Sequence, residues 1–129
     1  MELRYADTDQ MGLIYFARHL IYADEAVGKF FKTNGINLLE YEKAGIYIAV
    51  VHTEIDYKKP LKYGEYCEVD ISIEKLGTSS ISFKFLVFGN NELKSEGRIV
   101  YVFINSLGSK VEIPIEIRKK LEKFLTSPE

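Results

Sequence analysis

Cysteine is almost missing from this chain. Cys67 stands alone, so neither an intrachain disulfide nor a multi-cysteine metal site can form, and a reducing compartment fits. Tryptophan is absent, which excludes little, because 8 Phe and 9 Tyr supply the bulky packing a core needs. An excess of either charge is lacking too. With 17 basic and 19 acidic side chains the formal net charge is −2, too small for whole-chain attraction to nucleic acid or to an anionic membrane. No apolar run nears the roughly 20 residues of a membrane-spanning helix, and acids stand where a secretory signal carries bases and then an apolar block. The expectation is a cytoplasmic protein with no membrane span and no nucleic-acid partner. Repeats, linkers and low-complexity stretches are also wanting, and 129 residues suit one domain, residues 1–129, on one core.

What the chain does have is periodicity. Glu2 to Ala6 reads as a short strand and Asp7 to Gly12 as a loop. Steps of four and three then place Phe16, Leu20, Ala23, Val27 and Phe30 on one apolar stripe, with Arg18, Glu25, Lys29 and Lys32 mostly off it. This predicts a helix of about five turns that ends near Asn34-Gly35. Leu38 to Ala44 adds a short helical turn. From Gly45 onward the period becomes two. Ile46 to Tyr57 is rich in Ile, Val and Tyr and stops before Pro60, which has no N–H for a ladder. Cys67, Val69, Ile71 and Ile73 alternate with Glu68, Asp70, Ser72 and Glu74, and Ile81, Phe83, Phe85 and Val87 repeat the pattern after Gly77-Thr78-Ser79. Gly89-Asn90-Asn91 supplies a hairpin turn, and Gly97 to Asn105 is a further strand. Pro114 opens a last helix whose stripe is Ile117, Leu121, Phe124 and Leu125.

Tight turns demand antiparallel neighbours, so the economical packing is α+β: a curved antiparallel sheet against the apolar stripe of the long helix. Leu86, Phe88, Val100, Val102 and Ile104 occupy the opposite phase of their strands, and two apolar faces imply burial on both sides, hence self-association.

Asp9-x-x-Gly12 followed by Tyr15 and a helix, with Ile55-Asp56-Tyr57-x-x-Pro60 opening the second half, resembles the hotdog-fold acyl-CoA thioesterases, in particular the 4-hydroxybenzoyl-CoA thioesterase-like family. The resemblance covers nearly the whole chain. It implies a hotdog fold, a curved antiparallel sheet wrapped around a long central helix, in a homodimer or homotetramer whose active sites lie between subunits. It also implies hydrolysis of an acyl-CoA to a carboxylic acid and coenzyme A, with no cofactor beyond the coenzyme A of the substrate. Asp9 is implied as nucleophile or general base, and the backbone N–H around Phe16 as the group that polarises the carbonyl. The physics agrees with the placement. A helix N-terminus presents unpaired N–H groups and roughly half a positive charge, and a nearby carboxylate can attack a polarised carbonyl or activate a water.

Each of these residues also has a plainer reading. A loop Asp is commonly a cap or a solvated charge, Gly12 a turn residue, and Tyr15 and Phe16 core aromatics rather than the lining of an acyl pocket. Asp7 is not the acid the family pattern uses. Many relatives carry His where Phe16 stands, which points to a more apolar pocket here; His19 is one turn away and His52 lies on a strand, either of them a structural histidine or a pocket residue. Lys58, Lys59 and Lys62 flank Pro60 as candidate contacts for the coenzyme A phosphates, and Thr78 and Ser79 sit in a turn where related enzymes approach the cofactor. Walker and dinucleotide motifs are absent, and two His with one Cys make no zinc motif. Cys67, on the apolar face of its strand, is expected to be a buried, inert thiol. Hydratases or dehydratases of acyl thioesters and non-catalytic acyl-CoA-binding proteins share the fold and are the alternatives.

Overall fold

The computed structural model describes residues 2–9 and 11–125. A 3-10 turn at Tyr5–Asp7 leads through a loop to helix α1 (Arg18–Thr33) and a short α2 (Leu38–Lys43). Strands β1 (Ile46–Tyr57), β2 (Cys67–Leu76), β3 (Ser80–Gly89) and β4 (Glu92–Asn105) follow, and α3 (Ile115–Glu122) comes last. The four strands form one antiparallel sheet in the order β1-β4-β3-β2, so β2, β3 and β4 run as successive hairpins while β1 closes onto β4. Asn90 and Asn91 both take positive φ in the β3–β4 turn, the backbone a two-residue hairpin requires.

Alternation along the strands sends Ile73, Ile81, Phe83, Phe85, Val87, Ile99 and Phe103 into one core. Helix α1 lies over β2 and β3 and contributes Ala23, Val27 and Phe31 to that core. Removing each large apolar side chain from water is worth about 1.5–3 kcal/mol. Gly35, at φ +72°, ends the helix, where the Ile36 N–H reaches back to the Phe31 carbonyl at 2.9 Å. Leu86, Phe88, Val100 and Ile104 remain half-buried on the other face of the sheet, and Val102 is buried there.

Four expectations from the sequence need correction. Glu2 to Ala6 is not a strand, because Asp7 turns inward and its N–H closes a 3-10 turn on the Arg4 carbonyl. Helix α1 begins at Arg18, leaving Phe16 outside it and 58% exposed; the buried stripe is His19, Tyr22, Ala23, Val27 and Phe31, with Leu20 and Phe30 at its flanks. Strand β4 starts at Glu92 rather than Gly97, since Lys94 and Ser95 find polar partners inside. Helix α3 stops at Glu122, so Phe124 and Leu125 lie beyond it and are partly exposed.

Candidate active site

The segment carrying Asp9 folds back on itself. Thr8 bridges Ile14, Leu13 bridges Lys62, and the Asp9 N–H donates to the Leu13 carbonyl at 2.7 Å. Asp9 is exposed, and its Oδ1 accepts the N–H groups of Met11 (2.8 Å) and Leu13 (3.1 Å). An Asx turn of this kind fixes the carboxyl without covering it. Oδ2 has no hydrogen-bond partner among the described residues. Gly12, at φ +77°, donates its N–H to the Asp9 carbonyl, a conformation that suits glycine in this tight turn.

The start of α1 faces the same cleft. Ala17 caps the helix with no side-chain bond, and the first N–H groups used are those of Arg18, to the Tyr15 carbonyl at 2.9 Å, and His19, to the Phe16 carbonyl at 3.3 Å. Among the described residues the Phe16 and Ala17 N–H groups meet no backbone carbonyl, which leaves two donors open. Asp9, Leu13, Ile14, Tyr15, Phe16, His19, Tyr57, Lys58, Lys59, Pro60 and Leu61 line a cleft of about 450 Å³. Hollows of about 550 and 490 Å³ lie elsewhere, one by Tyr63 and Tyr66 and one between α1 and α2, but neither joins an exposed carboxylate to a helix start.

Six of the residues expected from the sequence therefore meet in one place: Asp9, Tyr15, Phe16, His19, Lys58 and Lys59. Lys59 pairs with Glu92, whereas Lys58 has no ion-pair partner among the described residues. Gly12 shapes the loop but does not line the cleft. His52 sits across β1 from Val100, outside the cleft, and bonds Glu54 at 3.0 Å. The carbonyls of Thr78 and Ser79 hold the N–H groups of Ile113 and Phe103, which places that turn away from the cleft within one chain. Cys67 is buried, and burial pushes its thiol up to about 11.

His19 is buried, its Nδ1 2.8 Å from the Ser95 hydroxyl and its ring edge-on to Tyr57 at 5.1 Å. Burial lowers its pKa to about 4, so the imidazole is neutral near pH 7. The unfolded chain takes up this proton below about pH 6.5, while the folded chain resists until about 4. Stability therefore falls as pH drops through that window. Between pH 7 and pH 4 the wild type should lose up to about 3 kcal/mol more than His19→Gln. Urea denaturation at both pH values measures this, and parallel losses in the two proteins would refute it.

Three positions that hold the site together had no role assigned to them from the sequence. Asp7 is 2% exposed and receives the Tyr22 hydroxyl at 2.6 Å and Arg4 at 3.1 Å, with the Arg18 Nε 3.4 Å away. The Tyr22 hydrogen bond, ahead of the arginines and against the opposing effect of burial, holds its carboxyl below the ordinary range. Its carbonyl also accepts the Tyr15 N–H at 2.8 Å, so Asp7 clamps the Asp9 loop to α1. The other two are Tyr57, whose hydroxyl donates to the Phe16 carbonyl at 2.8 Å, and Ser95 beneath His19. Asp7 stood in the acidic loop and Tyr57 in the motif before Pro60, while for Ser95 the available signal was the two polar residues, Lys94 and Ser95, on a stretch that continues a strand.

An antiparallel sheet, a helix across two of its strands and a carboxylate in one cleft with that helix's open start define a class, and comparison with known proteins agrees. Residues 3–121 match the model of the thioesterase-like superfamily. YneP of Bacillus subtilis, provisionally named an acyl-CoA thioesterase, is 31% identical over 130 residues, covering 100% of this chain and 92% of its own. A 1,4-dihydroxy-2-naphthoyl-CoA hydrolase of Crocosphaera subtropica is 30% identical over 92 residues, 70% of this chain and 67% of its own. Among solved structures, the DHNA-CoA thioesterase of Staphylococcus aureus superposes with a TM-score of 0.89 at 25% identity, covering 95% of this chain and 86% of that one. The chain belongs to the thioesterase-like superfamily and is a thioester hydrolase.

Proposed function

We propose that this protein hydrolyses an acyl-CoA thioester to a free carboxylic acid and coenzyme A, with Asp9 as the reacting carboxylate. The observation that carries the reading is the meeting of the exposed Asp9 carboxyl in one cleft with Phe16, the residue that leads into the open helix start. The thioester carbonyl oxygen takes up negative charge as its carbon is attacked, and N–H donors at a helix start stabilise it there. Asp9 Oδ2 either attacks the carbon, giving an acyl-aspartyl anhydride that water then hydrolyses, or takes a proton from the water that attacks. In both routes the C–S bond breaks and coenzyme A leaves as a thiolate that takes up a proton supplied by the water. No step calls on a metal or redox cofactor. The names of YneP and of the naphthoyl-CoA hydrolases support coenzyme A as the carrier.

Aromatic side chains at Tyr15, Phe16 and Tyr57 give the acyl end of the cleft an apolar wall, and Lys58 offers a charge for a coenzyme A phosphate. Two copies, as a homodimer or within a homotetramer, complete the site in this reading, with the sheet wrapped around the central helix and Thr78, Ser79 and His52 reaching a cleft only from a neighbouring copy. The active form should elute as a dimer or larger by light scattering and release free thiol from a panel of short, long and aromatic acyl-CoAs. An active monomer would sink the assembly, and silence on every acyl-CoA would sink the activity.

A further inference from the structure

We propose that Tyr57 is a positioning residue for the reaction: its hydroxyl fixes the Phe16–Ala17 peptide and so aims the Ala17 N–H as a second donor to the thioester oxygen. This rests on the thioesterase reading of the cleft. A trans peptide is planar, so the Ala17 N–H points opposite the Phe16 carbonyl, and whatever sets one sets the other. That carbonyl receives two donors, the Tyr57 hydroxyl at 2.8 Å and the His19 N–H at 3.3 Å. The second lies beyond the usual range for a good N–H···O bond, so the phenol supplies the better hold.

Tyr57 is itself held from three elements. It stands directly across from Ser95 in the β1–β4 pair. Ser95 bonds His19 Nδ1 at 2.8 Å, and the His19 ring meets the Tyr57 ring edge-on at 5.1 Å and 75°. The Phe16 ring closes the other side at 6.0 Å and 85°. The circuit β1, β4, α1 thus ends on the peptide that joins Phe16, in the cleft wall, to Ala17, whose N–H meets no backbone carbonyl among the described residues. Donors fixed before the reaction need no reorganisation during it, and a hydrogen bond on a carbonyl also strengthens the N–H of the same peptide. Pure packing would need only the ring.

Tyr57→Phe separates these roles, because it keeps the ring and removes only the hydroxyl. On the best acyl-CoA found for the wild type, kcat should fall about tenfold while KM stays within about twofold. Independently of activity, the 15N resonance of the Ala17 amide should move upfield, with that of Ala26 on the same helix unchanged. An unchanged kcat, a loss confined to KM, or an unmoved Ala17 signal would overturn the proposal. Failure of the variant to fold would overturn it too, since the hydroxyl would then hold the fold rather than one peptide. If the wild type hydrolyses no acyl-CoA, the functional reading fails by itself, and the Ala17 resonance alone decides whether Tyr57 sets this peptide.

Discussion

Asp9→Asn should lower turnover on the best acyl-CoA by at least about a hundredfold, the scale of a lost general base or nucleophile. Asparagine is the informative replacement because of how the side chain is held. Asp9 Oδ1 accepts the Met11 and Leu13 N–H groups, and an asparagine carbonyl oxygen can accept the same two, so the turn survives. What disappears is the charge and basicity of Oδ2. Alanine would remove the tether as well and confuse loop disorder with lost chemistry. Thiol release by the purified variant measures the effect, with thermal melting as the control on folding. Activity within tenfold of wild type in a protein that melts normally would exclude Asp9 as the reacting group.

The largest stability effect should come from the middle of the sheet, far from any reacting atom. A Cβ on Gly97 would lie 2.0 Å from the Glu54 carbonyl oxygen, 2.8 Å from Phe85 Cζ and 2.9 Å from Ile55 Cα. Two of these three neighbours are backbone, which cannot swing aside as a side-chain tip can. Gly97→Ala must therefore spread β1 from β4 or bend the strand, at a cost of at least about 3 kcal/mol. In a domain of this size that lowers the melting temperature by about 10 °C or more. A variant that melts within about 2 °C of wild type would show that the close approach of the two strands is not a constraint.

The strands were the legible part of the fold. Ile46 to Tyr57 is β1 residue for residue, and the alternations from Cys67 and from Ile81 are β2 and β3, because one face of each is apolar and the other polar. Reading failed where a polar residue turns inward. Lys94 is buried against Glu65 and Glu92, and Ser95 against His19, so the first third of β4 resembled a loop. Asp7 failed for the same reason: its partner Tyr22 lies fifteen residues on, beyond any local pattern. The site divides likewise. Asp9, Phe16 and the Lys58-Lys59 pair came from motif and order, while the Tyr57 contacts that hold Phe16 come from β1, and Tyr57 meets its β4 neighbour Ser95 only once the sheet has formed.

The strand order carries a consequence for how the cleft comes into being. β2, β3 and β4 pair through short turns, which a chain closes early, whereas β1 must find β4 across the whole of the two intervening strands. Pairings that distant in sequence are slow because the loop entropy is lost before any contact compensates it. Tyr57 meets Ser95 only in that last pairing, and the Lys58 and Lys59 N–H groups reach the Lys94 carbonyl only there. Until β1 docks on β4, the wall of the cleft formed by Tyr57, Lys58 and Lys59 lacks the contacts that hold it, so that wall is complete only when the whole sheet is.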